Sequence, residues 1–130
     1  MRDVTIELKS RPGELARIAS ALAREQVTLR AGSALAFGPR LVARFIPSDL
    51  DGARRALDAA AVPFVENEIV PVLVESRAGE LALLSTRLAD AGINIRAIYL
   101  TAMLGNVMQI AIVPDNVPRT KQLLGTRAGM

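Results

Sequence analysis

The sequence predicts an α+β protein of two ferredoxin-like βαββαβ units in tandem, each an antiparallel sheet with helices on one face, the second unit without its last strand. Three observations predict it. Residues 13–31, GELARIASALAREQVTLRA, align without a gap to residues 79–97, GELALLSTRLADAGINIRA, with eight of nineteen positions identical. A repeat on this scale has to be recognised before any fold is assigned. Upstream, the same offset of 66 pairs Val4, Ile6 and Leu8 with Val70, Val72 and Val74, apolar at alternate positions as in a half-buried strand. Finally, the chain is 130 residues long and 51% hydrophobic, rich for two units that would each be marginal alone at under about 70 residues.

Taken in order, the strand around Val4–Leu8 leads into a helix whose Leu15, Ile18, Ala19 and Leu22 follow the i, i+3, i+4, i+7 spacing of one face; Leu81, Leu84, Ser85 and Leu88 repeat it. Alternating strands then begin at Val27 and Ile93, and turn-like FGPR (37–40) and LGN (104–106) separate them from the third strands, LVARFI from Leu41 and VMQIAIV from Val107. At the third strands the offset becomes 67. Ser48 is placed to cap the next helix, with acidic residues in its first turn. The matching segment, DNVPRTKQLLG, ends at Gly125 as helix C-termini often do. A final strand from Val62 runs without a Pro/Ser-rich linker into the second unit, which sets the expected domains at 1–68 and 69–130 and the expectation that they pack as one body.

Composition excludes several functions. The sequence has no Cys and no His, so thiolate nucleophiles, imidazole bases and the commonest zinc ligands are missing together, and no metal or cofactor is expected. The N-terminus, MRDVTIELKS, mixes charged and apolar residues and resembles neither a signal peptide nor a membrane span, which leads to an expectation of a cytoplasmic protein. Net charge is +3. Fourteen of the sixteen basic residues are Arg, scattered along the chain rather than clustered as in a nucleic-acid footprint.

On RPGELARIASAL, ADAGINIRA and their recurrence, residues 2–125 resemble a tandem ACT-domain protein. The resemblance implies a non-catalytic sensor that binds an amino acid or related small carboxylate at the interface of ACT units and regulates a partner or its own assembly. By position, it implies ligand-binding loops at Arg11, Pro12, Gly13, Glu14 and Leu15 and at Arg77, Ala78, Gly79, Glu80 and Leu81, each facing a neighbouring unit's second strand at Thr28 or Asn94. The chemistry agrees, because a helix N-terminus offers free N–H groups and the positive end of its dipole to a carboxylate, and an Asn amide can accept from an ammonium. Ala78 stands where the first loop has Pro12, and Thr28 where the second strand has Asn94, so the two sites are not expected to be equivalent.

Each residue also has a plainer reading. Gly13 and Gly79 either let a ligand approach the backbone or simply start their helices; Glu14 and Glu80 favour the dipole in a first turn; Leu15 and Leu81 belong to the core; Arg11 and Arg77 are exposed. An alternative is a regulatory or structural subunit of an amino-acid biosynthetic enzyme, similar to the small subunit of acetolactate synthase, without a ligand of its own. An RNA-binding module shares the element order but needs two or three exposed aromatics on central strands, and the chain has one Tyr, three Phe and no Trp. Catalysis would fall to carboxylates, Lys9, Lys121 or Tyr99, which form no recognisable constellation.

A homodimer is the remaining expectation. The second unit has no counterpart to the strand from Val62, which would leave Val70–Glu75 as a bare apolar edge.

Overall fold

The computed structural model describes residues 1–125. The chain divides into two compact units, one of Arg2–Asn67 and one beginning at Glu68. The first contains β1 (Arg2–Lys9), α1 (Glu14–Arg24), β2 (Leu29–Phe37), β3 (Arg40–Pro47), α2 (Leu50–Ala59) and β4 (Phe64–Glu68); the second contains β5 (Val70–Glu75), α3 (Glu80–Asp90), β6 (Ile95–Leu104), β7 (Val107–Pro114) and α4 (Val117–Leu124). The expected α+β class and the repeated order are both present.

In the first unit the strands lie in the order β2-β3-β1-β4; in the second, among the described residues, β5-β7-β6. The expectation that the second unit has no further strand falls outside the described residues. Each unit has its own core on the helix side of its sheet. Val4, Ile6, Leu8, Ala43 and Phe45 pack with Ile18, Leu22, Ala53 and Leu57 in one. In the other, Val70, Val72, Val74, Ile110 and Ile112 pack with Leu84, Leu88 and Leu124. Alternation along the strands therefore does what the sequence implies: one face enters the core.

The change of offset from 66 to 67 has a physical location. β2 pairs Ala34 with Ala43 and Leu35 with Val42, whereas β6 pairs Leu100 with Ile110 and Ala102 with Gln109. Thr101 is the extra residue, taken up as a β-bulge. Its hydroxyl donates to the Gln109 carbonyl at 3.0 Å. An earlier irregularity, at Arg30 and Arg96, is common to both units.

Three helices end in the same way. The Val27 N–H bonds to the Leu22 carbonyl and the Gln26 N–H to Ala23, and the pattern recurs at Val62/Leu57 with Ala61/Asp58 and at Ile93/Leu88 with Gly92/Ala89. This double closure needs a left-handed residue before the last apolar one. Gln26 (φ 59°), Ala61 (φ 56°) and Gly92 (φ 74°) supply it.

Two local expectations are corrected. Ser48 does not cap α2, whose N-cap is Asp49 without a side-chain bond; the Ser48 hydroxyl instead accepts from the Thr28 N–H at 3.0 Å. The strands expected from Val27 and Ile93 begin at Leu29 and Ile95, because Val27 and Ile93 are consumed in closing the preceding helices.

Candidate functional site

The two strand-to-helix loops share one construction. The Ser10 N–H donates to the Pro39 carbonyl at 2.9 Å and the Arg11 N–H to the Lys9 carbonyl at 3.0 Å; the second unit repeats this with Ser76 to Asn106 at 2.7 Å and Arg77 to Glu75 at 3.0 Å. Each loop is thus tied to the turn of its unit's β-hairpin. Gly13 and Gly79 then enter the helix with φ of 87° and 89°, values costly for a residue with a Cβ. A Cβ built at either position meets nothing within 4 Å. Backbone conformation, rather than close approach by another group of the chain, requires these glycines.

That entry rotates the helix relative to the expected stripe. Glu14, Ile18, Ala21 and Leu22 face inward on α1, and Leu84 and Leu88 on α3. Leu15 and Leu81, assigned to the core from sequence, are each 51% exposed, a correction forced by this rotation. Ala19 is likewise exposed and Ser85 only half-buried.

Glu14 occupies the inward first-turn position at 7% exposure. A buried carboxylate needs charge partners, and it has two: Arg11 Nη2 lies 3.4 Å from Oε1 and Arg17 Nε 3.1 Å from Oε2. The second unit lacks that arrangement because Leu83 stands where the first has Arg17. There Arg77 reaches Glu80 at 2.8 Å and Glu75 at 2.9 Å, and the Glu80 hydrogen bond followed by the two carboxylate charges raises the Arg77 pKa above its ordinary value.

A cleft of about 370 Å³ opens beside the first loop, lined by Lys9, Arg11, Glu14 and Arg17, by Pro39 and Arg40 of the hairpin, and by Glu7 and residues 61–63. Arg40 pairs with Glu7. A different depression, of about 20 Å³, lies against β5, α3 and α4, lined by Val72, Val74, Glu80, Leu83, Leu84, Arg87 and Leu124. The two loops have the same backbone and different surroundings. Sequence reasoning did not place Glu7, Lys9, Arg17 or Arg40 at the binding site; the mismatch of Arg17 with Leu83 across the repeat was the available signal.

Thr28 and Asn94 stand elsewhere. The Thr28 carbonyl accepts from the Ser48 N–H at 2.8 Å, while Asn94 exchanges bonds with Asp115, its N–H to Oδ1 at 3.0 Å and its carbonyl from the Asp115 N–H at 3.0 Å. Both side chains are exposed. Within a unit, an eleven-residue helix, about 16 Å at 1.5 Å per residue, separates the loop from this residue. The structure does not bring them together inside one unit.

Among the described residues, no three His, Cys, Asp or Glu side chains are grouped to hold a metal ion, and no helix is long and apolar enough to cross a membrane.

No family model and no curated protein matches the sequence. Solved structures do match. Protein BT0572 from Bacteroides thetaiotaomicron superposes with a TM-score of 0.84 at 25% identity, over 95% of this chain and 85% of that one. The regulatory subunits of aspartate kinase from Thermus flavus (TM-score 0.68, 19% identity, 95% and 88% covered) and Thermus thermophilus, in its ligand-free form (0.65, 18%, 94% and 88%), share the architecture across nearly the whole chain. The fold is that of a tandem ACT-domain protein.

Proposed function

We propose that this chain, folded as a tandem ACT pair, is a non-catalytic regulatory module that binds an amino acid or related small carboxylate at the first strand-to-helix loop, Arg11–Leu15, and passes occupancy to a partner or to its own assembly. The observation that carries the reading is the cleft beside that loop. It places Lys9, Arg11 and the uncapped start of α1 around a space of amino-acid size, cations and helix-end N–H groups for the carboxylate and the Glu7 and Glu14 carboxylates for an ammonium. A neighbouring ACT unit's Thr28 or Asn94 would complete the site. The loop Arg77–Leu81 keeps the backbone but has Leu83 nearby where the first has Arg17, so the first loop is the principal site in this reading.

The test is thermal stabilisation across the amino acids. Ligand at a hundred times its dissociation constant adds about 2.7 kcal/mol, and Arg11→Glu should abolish the effect while the protein stays folded. If no amino acid stabilises protein freed of carried-over ligand, the sensor reading fails. A second reading is then left, a separate regulatory subunit of an amino-acid biosynthetic enzyme acting by contact alone. Its support is the architecture shared with the regulatory subunits of aspartate kinase from Thermus flavus and Thermus thermophilus.

A further inference from the structure

The charges around the first-loop cleft do not balance. Its lining sets the cations of Lys9, Arg11, Arg17 and Arg40 against the carboxylates of Glu7 and Glu14, a surplus of two positive charges. Both carboxylates are already engaged: Glu14 lies between Arg11 at 3.4 Å and Arg17 at 3.1 Å, and Glu7 pairs with Arg40. Lys9 is left without a carboxylate partner among the described residues. The sheet register also sets Lys9 directly opposite Arg40. Like charges so placed in an antiparallel pair are destabilising, and an anion lodged between them would turn that repulsion into attraction.

The repeat supplies the contrast. The positions of Glu7, Lys9, Arg11, Glu14, Arg17 and Arg40 are taken in the second unit by Leu73, Glu75, Arg77, Glu80, Leu83 and Val107. The surplus at these positions is one negative charge. Their single cation, Arg77, is held by Glu75 at 2.9 Å and Glu80 at 2.8 Å. The same loop backbone thus carries cations to spare in the first unit and none in the second.

Resting on the reading of the first-loop cleft as an amino-acid site, we propose that its ligand is an acidic amino acid, whose second carboxylate lies between Lys9 and Arg40. The α-carboxylate takes Arg11 and the helix-end N–H groups, and the ammonium shares a carboxylate of Glu7 or Glu14. The side-chain carboxylate answers the surplus at Lys9 and Arg40. A neutral side chain leaves those two cations facing each other, and a basic one adds a third cation without a free carboxylate to receive it. Selectivity of this kind comes as much from refusing the wrong charge as from holding the right one.

Isothermal titration calorimetry on the full chain, freed of carried-over ligand, compares glutamate with glutamine and aspartate with asparagine, pairs alike in size and different in charge. At low ionic strength one of the acids should bind about tenfold or more tighter than its amide. Lys9 and Arg40 are exposed, so the gap should narrow at about 0.5 M salt. Lys9→Gln should cost about tenfold for the acid and less than about twofold for the amide; Lys9→Glu, which imports the residue of the second unit, should abolish acid binding. Glutarate and inorganic phosphate separate an acidic amino acid from a bare anion, and both should bind more weakly because neither offers a cation to Glu7 and Glu14. The proposal is overturned by an amide or lysine binding as tightly as the acids, by glutarate or phosphate binding as tightly as either acid, or by a Lys9→Gln variant, folded by circular dichroism, that keeps the wild-type preference. If an amide or lysine wins, the amino-acid site stands and only its ligand class falls; if no amino acid binds at all, both fall together.

Discussion

Asn94 and Asp115 hold each other in both directions: the Asn94 N–H donates to Asp115 Oδ1 and the Asp115 N–H donates to the Asn94 carbonyl, each at 3.0 Å. Thr28 and Ser48 repeat the exchange at 3.0 and 2.8 Å. Only the backbone of Asn94 and Thr28 takes part, so their side chains are free to differ between units. Asn94→Leu should therefore change stability by no more than about 0.5 kcal/mol, and Asp115→Ala should cost about 1 kcal/mol. Urea unfolding of both variants decides it; equal losses would mean that the Asn94 side chain is structural and not a spare ligand contact.

Gln26 occupies, at φ 59°, the left-handed position that Gly92 fills in the second unit at φ 74°. Gln26→Gly should stabilise the first unit by about 0.5–1 kcal/mol, the strain at a left-handed non-glycine residue outweighing the added freedom of the unfolded chain. Gly92→Gln should do the reverse. Opposite signs in calorimetric melts support the shared helix closure; a destabilising Gln26→Gly contradicts it.

The same physics applies at Gly13 and Gly79. With φ near 90° at both, Gly13→Ala and Gly79→Val should each cost about 1–2 kcal/mol, measurable by denaturant unfolding with no ligand present. A change within 0.3 kcal/mol for both would show that the loops relax freely to negative φ.

Glu66 accepts two hydrogen bonds from Arg54, at 2.6 and 2.7 Å, and one from Arg2 at 3.2 Å. The Arg54 bonds above all, with the Arg2 bond and both positive charges adding, lower its pKa from 4.5 to about 2 against the opposing effect of desolvation. A depressed folded pKa makes this contribution complete above about pH 4.5 and lost as the pH falls from there towards 2. Glu66→Gln should remove that part of the acid sensitivity, seen as a flatter plot of melting temperature against pH below 4.5. An unchanged slope would mean that the pair does not persist in solution.

Among the described residues, Gly32 is the one glycine governed by close approach to neighbouring main chain. A Cβ there would lie 2.6 Å from the Arg44 carbonyl oxygen and 3.0 Å from Phe45. Gly32→Ala should cost about 1–3 kcal/mol, which chemical denaturation would report, whereas Ala34→Ser on the same exposed edge should cost little.

The repeat made most of the fold legible, because a second copy of each strand and helix tests every assignment made on the first. Periodicity did less well at helix starts. It placed Leu15 and Leu81 inside, since a stripe of apolar spacing does not reveal a left-handed glycine that turns Glu14 inward instead. Ser48 misled for a related reason. Its hydroxyl can accept from any nearby N–H, and which one depends on how strand ends meet, in this case at Thr28. The cleft was hidden because Glu7 and Lys9 of β1, Arg17 of α1 and Arg40 of β3 meet only in the folded chain; no spacing rule gathers them, and Leu83 in place of Arg17, beside Ala78 in place of Pro12, was the hint that the loops differ.

The hydrogen bond from Ser10 to Pro39 turns the first loop into a lever. Whatever settles against Arg11–Leu15 shifts the anchor of a two-residue hairpin, and that hairpin ends the long exposed strand from Leu29 to Phe37. Under the proposed function, a push at the loop would reach the rim of the sheet through that one turn, without passing through the core. Hydrogen exchange at the Ser10 amide, slowed by a bound amino acid together with the amides of the Phe37–Arg40 turn, would register that transmission; slowing at Ser10 alone would show the lever to be slack.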